Sequence, residues 1–264
     1  MSERMKGKNI VITGASSGLG ESLAIRVAEA GAVPVLLARS EDKLRMLSDR
    51  IMETYGVEAF WYPCDLADKE AIQKCFQHLF KEVGRVDALV NNAGFGVFER
   101  VEDTSMDAFR SMFDVNVIGL IHCVKEVLPF MKEAREGHII NIASQAGKIS
   151  TPKSAGYAST KHAVLGFTNG LRMEIDSYNI GVTAVNLGPV RTNFFETADP
   201  GGTYIKSVER YMLDPDDVAK KVVEHLFTSK REINMPHWME LGAKAYQLAP
   251  GLMEKMLGKQ FKKK

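Results

Sequence analysis

Two side chains four positions apart, Tyr157 and Lys161, fall in a stretch patterned as a helix over residues 156–177, so they share one helical face. A free phenol titrates near pH ~10, too high for proton transfer at neutrality, and a neighbouring ammonium favours its ionised form. The pairing makes Tyr157 a candidate acid or base, able to give a proton to an oxygen that gains negative charge or to take one from an alcohol. Ser144 lies thirteen residues earlier, just past an apolar run, where its hydroxyl can bond and orient the same oxygen. A Tyr-x-x-x-Lys pair alone is usually no more than a helix surface. It gains weight here from a glycine-rich turn that opens the chain. His122 and His162 lie near these residues, and both read as structural.

The turn is Thr13-Gly14-Ala15-Ser16-Ser17-Gly18-Leu19-Gly20, between an apolar run over Asn9–Thr13 and a helix over residues 21–30. Glycines let the backbone turn sharply and approach a pyrophosphate, and the helix start presents unpaired N–H groups and a positive dipole end. Gly14, Ser16, Ser17, Gly18, Leu19 and Gly20 are therefore candidate dinucleotide-binding residues. Their G-x-x-x-G-x-G spacing departs from the commoner G-x-G-x-x-G fingerprint. The second apolar run, Val35-Leu36-Leu37, leads into Ala38, Arg39 and Ser40, with no acid before Glu41. A carboxylate at that point would hold the ribose hydroxyls of NAD. Arg39 instead suits the extra phosphate of NADP, with Ser40 and Ser16 as further donors, and NADP(H) is the expected cofactor. The plainer alternative for Arg39 is a solvated charge at the sheet edge.

Elements able to position these residues follow from periodicity. Strands are expected over Asn9–Thr13, Val33–Ala38, residues 58–62, Ala88–Asn91, and residues 138–143, 181–186 and 232–234. Helices are expected over residues 21–30, Glu41–Tyr55 with Ser40 as cap, 68–83, 106–134 with a break near Asn116, 156–177, and 214–227 capped by Asp214. Strict strand–helix alternation predicts an α/β fold, a doubly wound parallel sheet of Rossmann type with helices on both faces, as one domain over residues 1–264. Residues 193–213, with Phe194, Phe195, Tyr204 and Tyr211 around Pro200-Gly201-Gly202, read equally well as a substrate lid and as an ordinary surface excursion. Gln145, Ile149 and Phe95 are further candidates to line the pocket. Residues 235–264 form an amphipathic segment that could cover the pocket, pack on a subunit or touch an anionic membrane.

Composition narrows the function classes. The chain has 264 residues and a formal net charge of +1, which offers no electrostatic footprint for nucleic acid. Cys64, Cys75 and Cys123 form neither a disulfide framework nor a metal site, and no His cluster suggests a metal. No run approaches the ~20 apolar residues of a membrane span. A cytoplasmic protein is expected.

The glycine spacing resembles that of the short-chain dehydrogenase/reductase family. The resemblance continues, in the family's order, through Cys64-Asp65-Leu66, Asn91-Asn92-Ala93-Gly94, Asn116, Ser144, the run from Tyr157 to Lys161, and Gly188-Pro189-Val190-Arg191-Thr192. It covers residues 10 to about 192, and the remainder carries no family motif. The resemblance implies a hydride transfer between NADP(H) and a carbonyl or alcohol, in a direction the sequence leaves open. It places Asp65 and Leu66 along the adenine, Asn92, Ala93 and Gly94 against a ribose, and Pro189, Val190 and Thr192 at the carboxamide. It makes Asn116, Ser144, Tyr157 and Lys161 catalytic, with Asn116 holding a water in a proton relay and Lys161 also bonding a ribose. It also implies a homodimer or homotetramer, for which Ile118, Leu120, Ile121 and Val124 are candidate contacts. A catalytically silent nucleotide sensor is the alternative function, and it is disfavoured because all four catalytic-type residues are present.

Overall fold

A computed structural model describes residues 3–261, with side chains through Lys255. Met256, Leu257 and the lysines at 262–264, which the sequence assigns to the amphipathic tail, lie outside the described side chains. Seven strands form one parallel sheet in the order β3-β2-β1-β4-β5-β6-β7: β1 Asn9–Thr13, β2 Val33–Ala38, β3 Phe60–Pro63, β4 Ala88–Asn91, β5 Gly137–Ile142, β6 Ile180–Leu187 and β7 Glu232–Met235. The helices α1 Gly18–Glu29, α2 Glu41–Tyr55, α3 Lys69–Val83, α4 Met106–Phe113, α5 Leu120–Ala134 and α6 Ala155–Glu174 connect β1 to β6. Beyond β6 come α7 Phe194–Ala198, α8 Thr203–Val208 and α9 Pro215–Glu224, then α10 His237–Leu248 and α11 Pro250–Phe261 after β7.

Alternation along the strands produces two cores. Ile10, Ile12 and Leu36 face one side and pack with Leu23 and Val27 of α1, Leu44 and Ile51 of α2, and Val222 of α9. Val11, Val35 and Leu37 face the other side, with Ile72 and Phe76 of α3, Val124 and Val127 of α5, and Leu171 of α6. Each face of the sheet is thus buried by helices, as parallel sheets require. The order reverses direction at β1 and β4, and the crevice at this switch point opens at the strands' carboxyl ends.

Several expectations need correction. Ser40 stands at the N-cap of α2, but its side chain makes no capping bond, whereas the Asp68 carboxylate accepts from the Glu70 and Ala71 amides to cap α3. The expected strand over residues 58–62 runs instead from Phe60 to Pro63, paired with the end of β2. Leu120 and Val124 face the subunit's own core, which leaves Ile118 exposed among the proposed interface residues. The excursion over residues 193–213 is mostly helical, and so is the tail. Among the described residues no helix is long and apolar enough to cross a membrane.

The expected break near Asn116 is a π-helical turn over Asp114–Gly119 between α4 and α5. Such turns arise where an i→i+5 register accommodates an extra residue, and they often mark functional sites. Gly119 is required here because a Cβ would lie 2.3 Å from the Leu66 carbonyl oxygen. The buried Asn116 amide grips the chain leaving β4, donating to the Phe95 carbonyl at 2.8 Å and accepting from the Phe95 amide at 3.0 Å. It also donates to Thr160 Oγ1 on α6 at 3.1 Å.

Asn116→Ala leaves both Phe95 backbone groups without these partners. It should lower stability by about 2–3 kcal/mol, read as a shifted urea midpoint at constant slope. An unchanged midpoint would show that the clamp is dispensable.

Candidate active site

The sheet's carboxyl ends open into a cleft of about 1280 Å³. Its nucleotide side begins at the turn between β1 and α1. Gly14 and Gly18 have φ of +67° and +56°, the left-handed region that favours glycine. A Cβ on Gly20 would lie 2.0 Å from the Gly14 carbonyl oxygen, so the turn closes too tightly for a side chain. Thr13 locks this turn to the neighbouring strand end, because its hydroxyl oxygen accepts from the Asn92 and Ala93 amides, each at 3.0 Å. Asn92 returns the contact by donating Nδ2 to the Thr13 carbonyl at 2.9 Å.

Opposite the turn, β5 and α6 gather three reactive side chains. Ser144 follows β5, accepts from the Ala146 amide at 3.0 Å and lies within hydrogen-bond reach of the Tyr157 phenol. Lys161 is buried one turn beyond Tyr157 and donates Nζ to the Ile142 carbonyl at 2.9 Å. Its Nζ lies 5.8 Å from the centre of the Tyr157 ring. Burial pushes the Tyr157 phenol up, partly offset by the Ser144 hydrogen bond, and burial pulls Lys161 down to about 8. The sequence leads one to expect a phenol displaced downward, whereas here its burial dominates and displaces it upward.

Aromatic rings wall the other side. Phe98 meets Tyr157 edge-on at 5.7 Å, Phe194 meets it at 5.5 Å, and Tyr204 meets Phe98 at 5.2 Å. Gly96 makes room for this packing, since a Cβ there would come within 2.9 Å of Tyr157 Cδ2 and 3.0 Å of Phe194 Cζ. In the excursion over residues 193–213, Phe194, Phe195 and Tyr204 all line the cleft, and Phe195 is buried.

Nearly every candidate residue lines this one cleft. Gly14, Ser16, Ser17, Gly18, Leu19 and Gly20 lie at the turn, Arg39 and Ser40 at the end of β2, and Asp65 and Leu66 after β3. Asn92, Ala93 and Gly94 follow β4, Pro189, Val190 and Thr192 follow β6, and Ser144, Tyr157 and Lys161 form the floor. Asn116 is the exception. It stands one layer behind, bonded to Phe95 and Thr160. His162 is likewise outside the lining, its Nδ1 2.9 Å from the Ala158 carbonyl oxygen.

Sequence reasoning missed Lys43 and Phe98, and of its three alternatives for the segment over residues 235–264, a place over the pocket fits Trp238, Met239 and Met253, which line the cleft. A signal existed for Phe98, an aromatic after two glycines directly beyond β4. Lys43 stands in the first turn of α2, just after Arg39 and Ser40, and lines the same rim.

Comparison with known proteins agrees with this fold. The family described as short chain dehydrogenase matches residues 8–201. The human protein named dehydrogenase/reductase SDR family member 7 is 38% identical over 194 residues, which span 72% of this chain and 57% of that protein. A short chain dehydrogenase/reductase from Burkholderia phymatum in complex with NAD superposes with a TM-score of 0.87 at 26% identity, over 96% of each chain. An alcohol dehydrogenase from Thermococcus sibiricus complexed with 5-hydroxy-NADP gives a TM-score of 0.79 at 28% identity, over 87% of this chain and 96% of that one. With its glycine turn, its parallel sheet and this match across most of its length, the chain belongs to the short-chain dehydrogenase/reductase family.

Proposed function

We propose that this oxidoreductase is a single NADP(H)-binding domain that transfers a hydride between the cofactor and a carbonyl or alcohol of low polarity, with Tyr157 as acid and base. The observation that carries the reading is the convergence of the Tyr157 phenol, the Ser144 hydroxyl and the Lys161 ammonium on the floor of the cleft that the glycine turn opens.

The cradle fits a dinucleotide. No Cβ fits at Gly14 or Gly20, so the backbone of the turn can approach a pyrophosphate closely, at the N-terminus of α1. Arg39 is exposed at the cleft rim after β2, with Ser40, Ser16 and Lys43 beside it, and this donor set suits the 2′-phosphate of NADP. Relatives are described with either nicotinamide cofactor, so the preference for NADP rests on these side chains. Asp65 and Leu66 flank the adenine end, Asn92, Ala93 and Gly94 offer close backbone approach to a ribose, and Pro189, Val190 and Thr192 serve the carboxamide end. When bound, the cofactor supplies or accepts the hydride.

The chain's own residues manage the proton. Ser144 donates to the substrate oxygen and fixes its place beside Tyr157. Burial keeps the Tyr157 phenol protonated at neutral pH, which suits the reductive direction. Tyr157 gives its proton to the oxygen as that atom becomes an alcohol, and Lys161 stabilises the phenolate left behind. The reverse steps serve oxidation. Asn116 positions this group through Phe95 and Thr160, leaving the backbone of the π turn as the route by which it can serve a proton relay. The wall facing Tyr157 is aromatic, which supports a substrate of low polarity.

Tyr157→Phe should lower carbonyl reduction by about 10²- to 10⁴-fold and leave NADPH binding unchanged, as measured by NADPH fluorescence. A variant that kept most of its turnover would remove Tyr157 from the chemistry. Arg39→Ala should weaken NADPH binding by about 1.5–3 kcal/mol and NADH binding little. Equal losses for the two cofactors would contradict the assignment of the phosphate site.

A further inference from the structure

Exposed large apolar side chains are scattered over most of the surface, but four gather on the last two helices. Trp238, Leu241, Leu248 and Leu252 are 54%, 69%, 87% and 60% exposed. On α10, Trp238, Leu241 and Leu248 share one helical face with the exposed Ala245. The opposite side of α10 is anchored. Ala243 is buried there, and Glu240 accepts from Lys148 Nζ at 2.6 Å. Lys148 also holds Glu232 at 2.8 Å and Asn234 at 3.0 Å, so α10 is fixed to β7 with its apolar stripe turned outward.

Charge distinguishes the same segment. Residues 237–264 carry six lysines and two glutamates, whereas the whole chain has 34 basic and 33 acidic residues. One of those two glutamates, Glu240, is already taken by Lys148. An exposed apolar stripe on helices that carry Lys244, which also meets Glu240 at 3.6 Å, and Lys255, in a segment whose sequence has an excess of lysine, matches the surface of an anionic bilayer. A second copy is the poorer fit, because a two-fold pair would set the same lysine-rich segment against itself.

The cleft reaches this surface. Trp238, Met239, Tyr246 and Met253 line it, so the helices that face outward also wall the pocket. Besides Lys161, the charged residues of the lining are Arg39, Lys43 and Asp65, all at the nucleotide end. The other end is uncharged and opens beside the stripe.

We propose that the outer face of α10 and α11 is a docking surface for an anionic lipid bilayer, from which an apolar substrate enters the cleft past Trp238 and Met253. The docking stands on the surface itself, and only the passage of substrate rests on the catalytic reading above. Each helix has 12 residues, short of the ~20 of a span, so the pair would lie in the plane of the interface.

The test is co-sedimentation of the full chain with phosphatidylcholine vesicles, with and without phosphatidylglycerol, at low and high salt. The chain should partition onto the phosphatidylglycerol vesicles, less onto phosphatidylcholine alone, and should be released in part by salt. The double variant Leu241→Ser with Leu248→Ser should partition about tenfold less or weaker still, with the thermal midpoint and NADPH binding of the parent. Parent protein left in the supernatant with anionic vesicles would overturn the proposal, as would a double variant that partitions like the parent. A vesicle-free dimer that the double variant dissolves would also overturn it, by assigning the face to a second copy. Partitioning without any NADPH binding would uphold the docking and retire the catalytic reading.

Discussion

A lysine ammonium and a phenol removed from water side by side are the constraint around which the rest of the molecule is arranged. Lys161 is buried and held by the Ile142 carbonyl, and that carbonyl faces it only because β5 ends there and α6 packs across the strand ends. An isolated buried charge is costly, and a hydrogen bond to one backbone carbonyl offsets part of that cost. The remainder appears as the downward displacement of Lys161, and burial of its own hydroxyl displaces Tyr157 upward. Burial thus keeps the phenol protonated at neutral pH, beside an ammonium whose own titration is drawn towards neutrality.

The surrounding contacts hold that pair in register with the glycine turn. Thr13 and Asn92 tie the ends of β1 and β4 together, and Asn116 ties the π turn to Phe95 and, through Thr160, to α6. The phenol and the turn therefore belong to one rigid frame built on strands and long helices. The walls facing the substrate end come from Phe98, the short helices α7 and α8 and the C-terminal pair, of which α8, α10 and α11 lie beyond the family match that ends at residue 201.

Much of this frame was legible in the sequence. Parallel strands buried on both faces read as short continuous apolar runs, and Val35-Leu36-Leu37 or Ile139-Ile140 leave little ambiguity. Glycines mark close backbone approaches, so the turn from Gly14 to Gly20 located the nucleotide side directly. What escaped was set by tertiary packing. The direction in which Tyr157 is displaced depends first on how deeply it is buried, which does not follow from a spacing of four residues. The inward turn of Leu120 and Val124 depends on which face of α5 meets the sheet, and an apolar run does not specify that. Phe98 and Met253 meet in one cleft only after the chain has folded, because they are far apart in sequence.

The most direct test of the central claim is the pH dependence of kcat/KM for carbonyl reduction, which reports groups of the free protein. Lys161, pulled down to about 8, is charged below that pH and neutral above it, while the Tyr157 phenol is held well above its ordinary range. The profile should be level at neutrality and fall as the pH rises through about 8, when the ammonium beside the phenol is lost. A profile that stays level up to pH ~10, the ordinary range of lysine and tyrosine, would contradict the account.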